Sequence, residues 1–112
     1  MPQPIRAAFG RPQNLPGMVV EEIAADAGSP LSLPFEGSRF SVPPGATSVR
    51  DEHAVAEIWL IRSGTGTVVS SDTSTEVGPG DALYYPPWVP HQVTNTGSGP
   101  LEVFSLWWTA DA

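Results

Sequence analysis

The sequence predicts an all-β protein that forms a single domain. Thirteen prolines and eleven glycines interrupt the apolar segments, and no stretch keeps the i, i+3, i+4 apolar spacing of a helix over several turns. The segments between these breaks are short and rich in β-branched and aromatic residues, which favour strands. Many short strands at regular spacing are typical of an antiparallel sandwich, jelly roll or barrel. A chain of 112 residues is long enough for one such core.

Nine strands are predicted, and turn signals separate nearly all of them. In chain order they cover residues 18–23, 39–42, 47–53, 56–62, 67–71, 74–77, 82–85, 92–95 and 101–108. Residues 1–17 contain four prolines and little periodicity, so we interpret them as an N-terminal arm that is either disordered or laid across a neighbour as an edge segment. The barrel itself is expected to span residues 18–112.

Composition excludes several classes of function. Twelve acidic residues against five basic ones give a formal charge of −7, which disfavours binding to nucleic acid. The chain has no lysine for Schiff-base chemistry and no cysteine for a thiolate site, so a bound metal would need nitrogen and oxygen ligands. No segment has the apolar length of a signal core or a membrane span, so we expect a soluble, cytoplasmic protein without membrane contact.

The two histidines of the chain are the strongest indication of a site. His53 lies in a segment framed by glycines, 45–64, and His91 lies in a second segment, 80–95. Alternation along a strand places Asp51 on the same face as His53, and Glu57 lies early in the next predicted strand, where its carboxylate can return to the same pocket. The proline-rich residues 86–90 restrict the backbone and present His91 rigidly at the start of another strand.

Both segments resemble the paired motifs of the cupin family, and this resemblance implies a jelly-roll β-barrel. Motif one spans 45–64 and motif two spans 80–95; the residues that fall on the two motifs are Gly45, His53, Glu57, Gly64, Gly80, Pro86, His91 and Asn95. Two positions depart from the family pattern. Asp51 stands where the family has its first motif histidine, and Trp88 stands where the second motif has glycine. The ring of Trp88 is expected near the barrel mouth, either stacked on a flat substrate or capping the apolar interior.

The resemblance implies one divalent metal ion, which we expect to be Fe, Mn, Zn, Ni or Co. Its ligands would be His53, His91, Glu57 and Asp51, a set with harder donors than the usual three histidines and one glutamate. If one carboxylate binds, the set is the 2-His-1-carboxylate arrangement of non-haem iron oxygenases. Asp51 has two alternatives, a solvated turn residue or a group that orients a ligand histidine. Glu57 or Asp51, if not bound to metal, would be the general base.

These expectations define a metal-dependent cupin enzyme that acts on a small oxygen-containing organic molecule inside the barrel. An oxygenase is favoured by the possible 2-His-1-carboxylate set, with a redox-neutral isomerase, cyclase or lyase as the alternative. A second alternative is a stand-alone protein that binds a small ligand without catalysis, because the chain has neither a helix-turn-helix segment nor a basic patch. We also expect a homodimer, because the family resemblance, the exposed arm and several tryptophans favour an interface.

Overall fold

The computed structural model describes residues 4–24 and 32–110, and it confirms the prediction of an antiparallel all-β fold. The strands in the described residues are β1 (Gln13–Leu15), β2 (Met18–Glu22), β3 (Glu36–Val42), β4 (Ala56–Ser63), β5 (Gly66–Ser70), β6 (Thr73–Val77), β7 (Ala82–Tyr85), β8 (Gln92–Asn95) and β9 (Leu101–Trp108). Within these ranges the structure has no helix long and apolar enough to cross a membrane.

The strands form two antiparallel sheets that enclose the core. One sheet has six strands in the order β1-β2-β3-β9-β4-β7, and the other has three in the order β6-β5-β8. Because side chains alternate along a strand, one face of each sheet turns inward. The buried hydrophobic cluster draws on both sheets: Met18, Phe40, Val42, Trp59, Ile61, Val68, Val77, Tyr85, Val93, Leu101 and Val103. The core therefore lies between the two sheets, and β3, β4 and β9 each supply two of its residues.

Eight of the nine predicted strands are present, with ends shifted by at most three residues, but the prediction of a strand over 47–53 is wrong. This segment pairs with the chain around β8 only through isolated bridges, Thr47 with Thr94 and Asp51 with His91. Between these two bridges the chain advances four residues from Thr47 to Asp51 but only three from His91 to Thr94, which is the signature of a β-bulge. Ser48 lies at the irregularity, where its hydroxyl accepts a hydrogen bond from the Val93 amide at 3.0 Å.

The N-terminal arm contains a strand that the sequence does not predict. β1 pairs with β2 at the edge of the six-stranded sheet, and a further bridge joins Phe9 to Ile23. The turn between β1 and β2 includes Gly17, which has a φ of 75°. A Cβ atom at Gly17 would lie 1.9 Å from the main-chain oxygen of Thr47, so only glycine fits where this turn meets the bulged segment.

Candidate metal centre

The two sequence motifs meet through the main chains of Asp51 and His91. The amide of Asp51 donates to the carbonyl of His91 at 3.0 Å, and the amide of His91 donates to the carbonyl of Asp51 at 2.9 Å. Residues that exchange both hydrogen bonds in an antiparallel pair are direct neighbours. Residues forty positions apart in the chain are thereby held in fixed register.

The two histidine side chains converge on one carboxylate oxygen. Oε1 of Glu57 lies 2.8 Å from Nε2 of His91 and 3.1 Å from Nε2 of His53. Asp51 joins the same cluster, because its carboxylate and one nitrogen of each histidine all lie within 4.8 Å of one another. The structure thus brings together all four residues that the sequence suggests as ligands.

Glu57 is held in place through its other oxygen. Trp59 Nε1 donates to Oε2 of Glu57 at 3.0 Å, and the hydroxyl of Ser105 donates to the same oxygen. Although burial raises the pKa of Glu57, the hydrogen bonds from His91, Ser105 and Trp59 outweigh it and lower the pKa below the ordinary value. Glu57 is therefore a fixed carboxylate that presents Oε1 to the two histidines.

The contacts of His91 require a positive charge at this point. Its Nδ1 lies 2.9 Å from the carbonyl oxygen of Val89, and its Nε2 faces Oε1 of Glu57. Both partners can only accept hydrogen bonds, so the ring must either carry two protons or bind a cation at Nε2. Burial lowers the pKa of His91, but the hydrogen bonds to Glu57 and Val89 raise it overall. Tyr85 stacks on the ring at a centroid distance of 4.0 Å and fixes its plane.

The donor set fits a divalent metal ion. Two imidazoles and two carboxylates supply the nitrogen and oxygen ligands that iron, manganese or zinc accept. His91 has the outer hydrogen bond to a main-chain carbonyl that commonly orients a ligand histidine. His53 differs, because its Nδ1 is buried with no hydrogen-bond partner among the described residues. Its contact with Glu57 is thus the polar interaction that orients the His53 ring.

Asp51 lies in a cavity rather than on the outer surface. The adjacent Glu52 turns the other way, as alternation predicts, and forms an exposed ion pair with Arg50 at 3.3 Å. Burial and the charge of Glu57 raise the pKa of Asp51 above its ordinary value, although the two histidines act in the opposite direction. Of the two carboxyl groups in the cluster, Asp51 is therefore the one that is protonated more readily.

The cavity beside the cluster has a volume of about 390 Å³. Most of its wall is apolar, and Trp107 of β9 contributes to it. The residues that line it are Gln13, Leu15, Met18, Val20, Glu22, Ser38, Phe40, Ser48, Val49, Asp51, His53, Val55, Glu57, Trp59, Ser105 and Trp107. β1 of the N-terminal arm therefore forms part of the wall of this cavity.

Trp88 lies outside this cavity. The residue is 63% exposed and does not belong to the lining, so it does not cap the interior. Its φ is 68°, the left-handed conformation that glycine adopts readily and a bulky residue avoids. The Trp88 amide donates to the carbonyl of His53 at 2.7 Å, which links the proline-rich segment to the first motif.

Neither Trp59 nor Ser105 is among the site residues that the sequence predicts. Trp59 is both part of the core and a hydrogen-bond donor to Glu57. A signal for Trp59 existed, because it lies two residues after Glu57 on the same strand and therefore on the same face. Ser105 had no such signal, because its position depends on the pairing of β9 with β4, which places it opposite Trp59.

The chain is similar in sequence to a known protein family and to a known biosynthetic protein. A family model described as "Cupin domain" matches residues 38–108, more than half of the chain. The chain is 36% identical over 73 residues to the xanthan biosynthesis protein XanB of Xanthomonas campestris; the match covers 64% of this chain but only 16% of XanB.

Two solved structures share the fold along nearly the whole chain. A Cupin 2 conserved barrel domain protein from Salinispora arenicola is 27% identical, with a TM-score of 0.82 and coverage of 98% of this chain and 92% of that one. A "predicted oxalate decarboxylase" from Thermotoga maritima is 20% identical, with a TM-score of 0.75 and coverage of 96% and 100%. The likeness to the second protein shows the fold alone.

Proposed function

The chain belongs to the cupin family, and from that premise we propose that it is a mononuclear metal-dependent enzyme acting on a small oxygen-containing organic molecule. One observation carries the proposal. Oε1 of Glu57 lies within 3.1 Å of Nε2 of both His53 and His91, beside a cavity of about 390 Å³. A divalent ion bound to these atoms would supply Lewis-acid polarisation of a substrate oxygen or, if redox-active, activation of O2.

We assign different roles to the two carboxylates. Glu57 is anchored through Oε2 by Trp59 and Ser105 and has a lowered pKa, which suits a ligand and makes it a poor base. Asp51 lines the cavity and has a raised pKa, so it is the group that accepts and returns a proton next to the substrate. Trp107 and the other apolar wall residues exclude water from the reacting molecule.

The 2-His-1-carboxylate set of His53, His91 and Glu57 favours an oxygenase. Anaerobic protein loaded with Fe(II) and exposed to nitric oxide tests this reaction type. An oxygenase needs an open coordination position, so we expect the electron paramagnetic resonance signal of a high-spin iron–nitrosyl complex. Absence of that signal in iron-loaded protein would favour the second candidate, a redox-neutral isomerase, cyclase or lyase, which is supported by the raised pKa of Asp51 in the cavity.

Elemental analysis tests the metal dependence itself. After reconstitution with Fe, Mn, Ni, Co or Zn and gel filtration, we expect about one ion per chain for at least one metal. His91→Ala should abolish binding, whereas Asp51→Ala should weaken it less, because Asp51 is not the anchored carboxylate. Failure of every metal to remain bound, or equal metal content in wild type and His91→Ala, would contradict the proposal and favour a non-catalytic ligand-binding role.

A further inference from the structure

The charge of the cavity limits the substrate that it can take. Three carboxylates line it, those of Glu22, Asp51 and Glu57, and the lining contains no arginine or lysine. The chain has no lysine, and its five arginines all lie within the described residues. None of them is part of this wall.

Three arginines close in the chain to cavity-lining residues are paired with carboxylates. Arg50, between the lining residues Val49 and Asp51, forms an exposed ion pair with Glu52 at 3.3 Å. Arg39 contacts Glu21 at 3.2 Å, and Arg62 contacts Glu102 at 2.9 Å. These four residues line a different and smaller cavity of about 190 Å³. Arg39 and Arg62 lie next to inward-facing residues of β3 and β4, so alternation turns them to the outer face of the six-stranded sheet. A change of rotamer cannot bring them through the sheet.

A bound divalent metal would not remove the excess of negative charge in the cavity lining. Two positive charges of a divalent ion equal the two negative charges of Asp51 and Glu57, and Glu22 leaves the cavity with a formal charge of −1. An anionic group on a substrate would find no countercharge in the wall. The formal charge of −7 of the whole chain adds repulsion at longer range.

We propose that the cavity takes an uncharged or cationic, largely apolar small molecule that offers an oxygen to the metal, and that it rejects carboxylate and phosphate analogues of the same size. The proposal rests on the proposed function, since it concerns the substrate of that site. Glu22, an exposed residue at the end of β2, is the specificity-determining residue of the wall that is not part of the metal cluster. Its neighbour Glu21 faces the opposite side of the same strand and provides a matched control.

Three catechols that share the metal-binding diol test the proposal: dopamine with an ammonium group, 4-methylcatechol without charge, and 3,4-dihydroxyphenylacetate with a carboxylate. Binding to zinc-loaded protein is followed by quenching of tryptophan fluorescence, because Trp59 and Trp107 line the cavity. We expect the first two to bind at least about tenfold more tightly than the carboxylate, a difference of about 1.4 kcal/mol. Glu22→Gln should narrow this difference, and Glu21→Gln should leave it unchanged.

Binding measurements on metal-free protein distinguish the failure of this proposal from the failure of the proposed function. Benzylamine, benzyl alcohol and benzoate need no metal, and we expect the same order of affinity with benzoate weakest. If the protein retains no metal but keeps this order, the metal-dependent function fails and the charge preference stands. Binding of the carboxylate as tight as that of its amine counterpart would overturn the charge preference, and so would no binding of any of the six compounds.

Discussion

Asp51 and His91 exchange both of their main-chain hydrogen bonds, so a carboxylate from the first motif lies directly beside a histidine from the second. The pairing uses no side-chain atoms, which leaves both side chains free to face the cluster. The bulge at Ser48 precedes this pair and sets its register. The position of the candidate metal centre is therefore fixed by backbone geometry before any ion binds.

The hydroxyl of Ser105 is predicted to control metal affinity through Glu57. Ser105→Ala removes a donor to Oε2 of Glu57, which loosens the carboxylate, so we expect the affinity for zinc to fall by about 10- to 100-fold. Ser105→Thr keeps the hydroxyl and should retain most of the affinity. Ser41→Ala, on the outer side of β3, is the control. Competition with a chelator measures the dissociation constants, and unchanged affinity in Ser105→Ala would remove Ser105 from the centre.

Stability of the metal-free protein is predicted to fall as the pH rises above about 6.5. Because the pKa of His91 is raised by folding, its contribution to stability is present below its ordinary value of 6.5 and is lost as the pH rises through the folded value. Because the pKa of Glu57 is lowered, its contribution is present above 4.5 and is lost as the pH falls through the folded value. The pair therefore stabilises the fold most between about 4.5 and 6.5.

Metal affinity should change in the opposite direction over the same range, since the ion competes with the proton at Nε2 of His91. Thermal unfolding of metal-free protein and zinc titrations from pH 5 to pH 8, roughly the range of histidine titration, measure the two trends. Glu57→Gln should flatten the stability curve. Stability of the metal-free wild type that rises steadily across this range would contradict the ionised pair.

The backbone at Trp88 is predicted to be strained. Its φ of 68° costs a residue with a Cβ atom about 1 to 2 kcal/mol, while glycine loses about 0.5 to 1 kcal/mol of chain entropy on folding. Trp88→Gly should therefore be more stable than Trp88→Ala by roughly 0.5 to 1 kcal/mol, measured by urea unfolding. Both variants lose the exposed ring, so their difference isolates the backbone. If Trp88→Ala were instead more stable than Trp88→Gly by about 0.5 to 1 kcal/mol, the conformation would carry no strain.

The homodimer stays a prediction, and the outer face of the six-stranded sheet is its proposed interface. Leu60 and Tyr84 are 41% and 57% exposed on neighbouring strands of this face, and the ion pair of Arg62 with Glu102 leaves it locally balanced in charge. Leu60→Glu should yield a monomer by light scattering at micromolar concentration. Val69→Glu, at a site that is 40% exposed on the other sheet, should remain a dimer. A monomeric wild type would refute the prediction.

The sequence predicts those parts of the molecule that depend on local spacing. Glu57 lies beside His53 because three residues and one bend separate them, and the stiff segment before His91 places that ring against Glu57. Ser105 escapes prediction because it reaches Glu57 across 48 residues through the pairing of β4 with β9. The bulge at Ser48 escapes it as well, because a side-chain hydroxyl that replaces a main-chain acceptor leaves no periodic signal.

The N-terminal arm contains a third feature that the sequence does not predict. Its prolines argue against a strand, yet Gln13–Leu15 pairs with β2 at the edge of the sheet, where unpaired amides are tolerated. Gln13 and Leu15 thereby become part of the cavity wall, which no motif indicates.

Crystals grown with zinc and measured at its absorption edge test the central claim most directly. We predict one anomalous peak per chain, within about 2.0 to 2.3 Å of Nε2 of His53, Nε2 of His91 and Oε1 of Glu57. Asp51 should lie beside this peak and facing the cavity. A peak at any other group of residues, or none at this cluster in protein that carries zinc, would contradict the assignment of the metal centre.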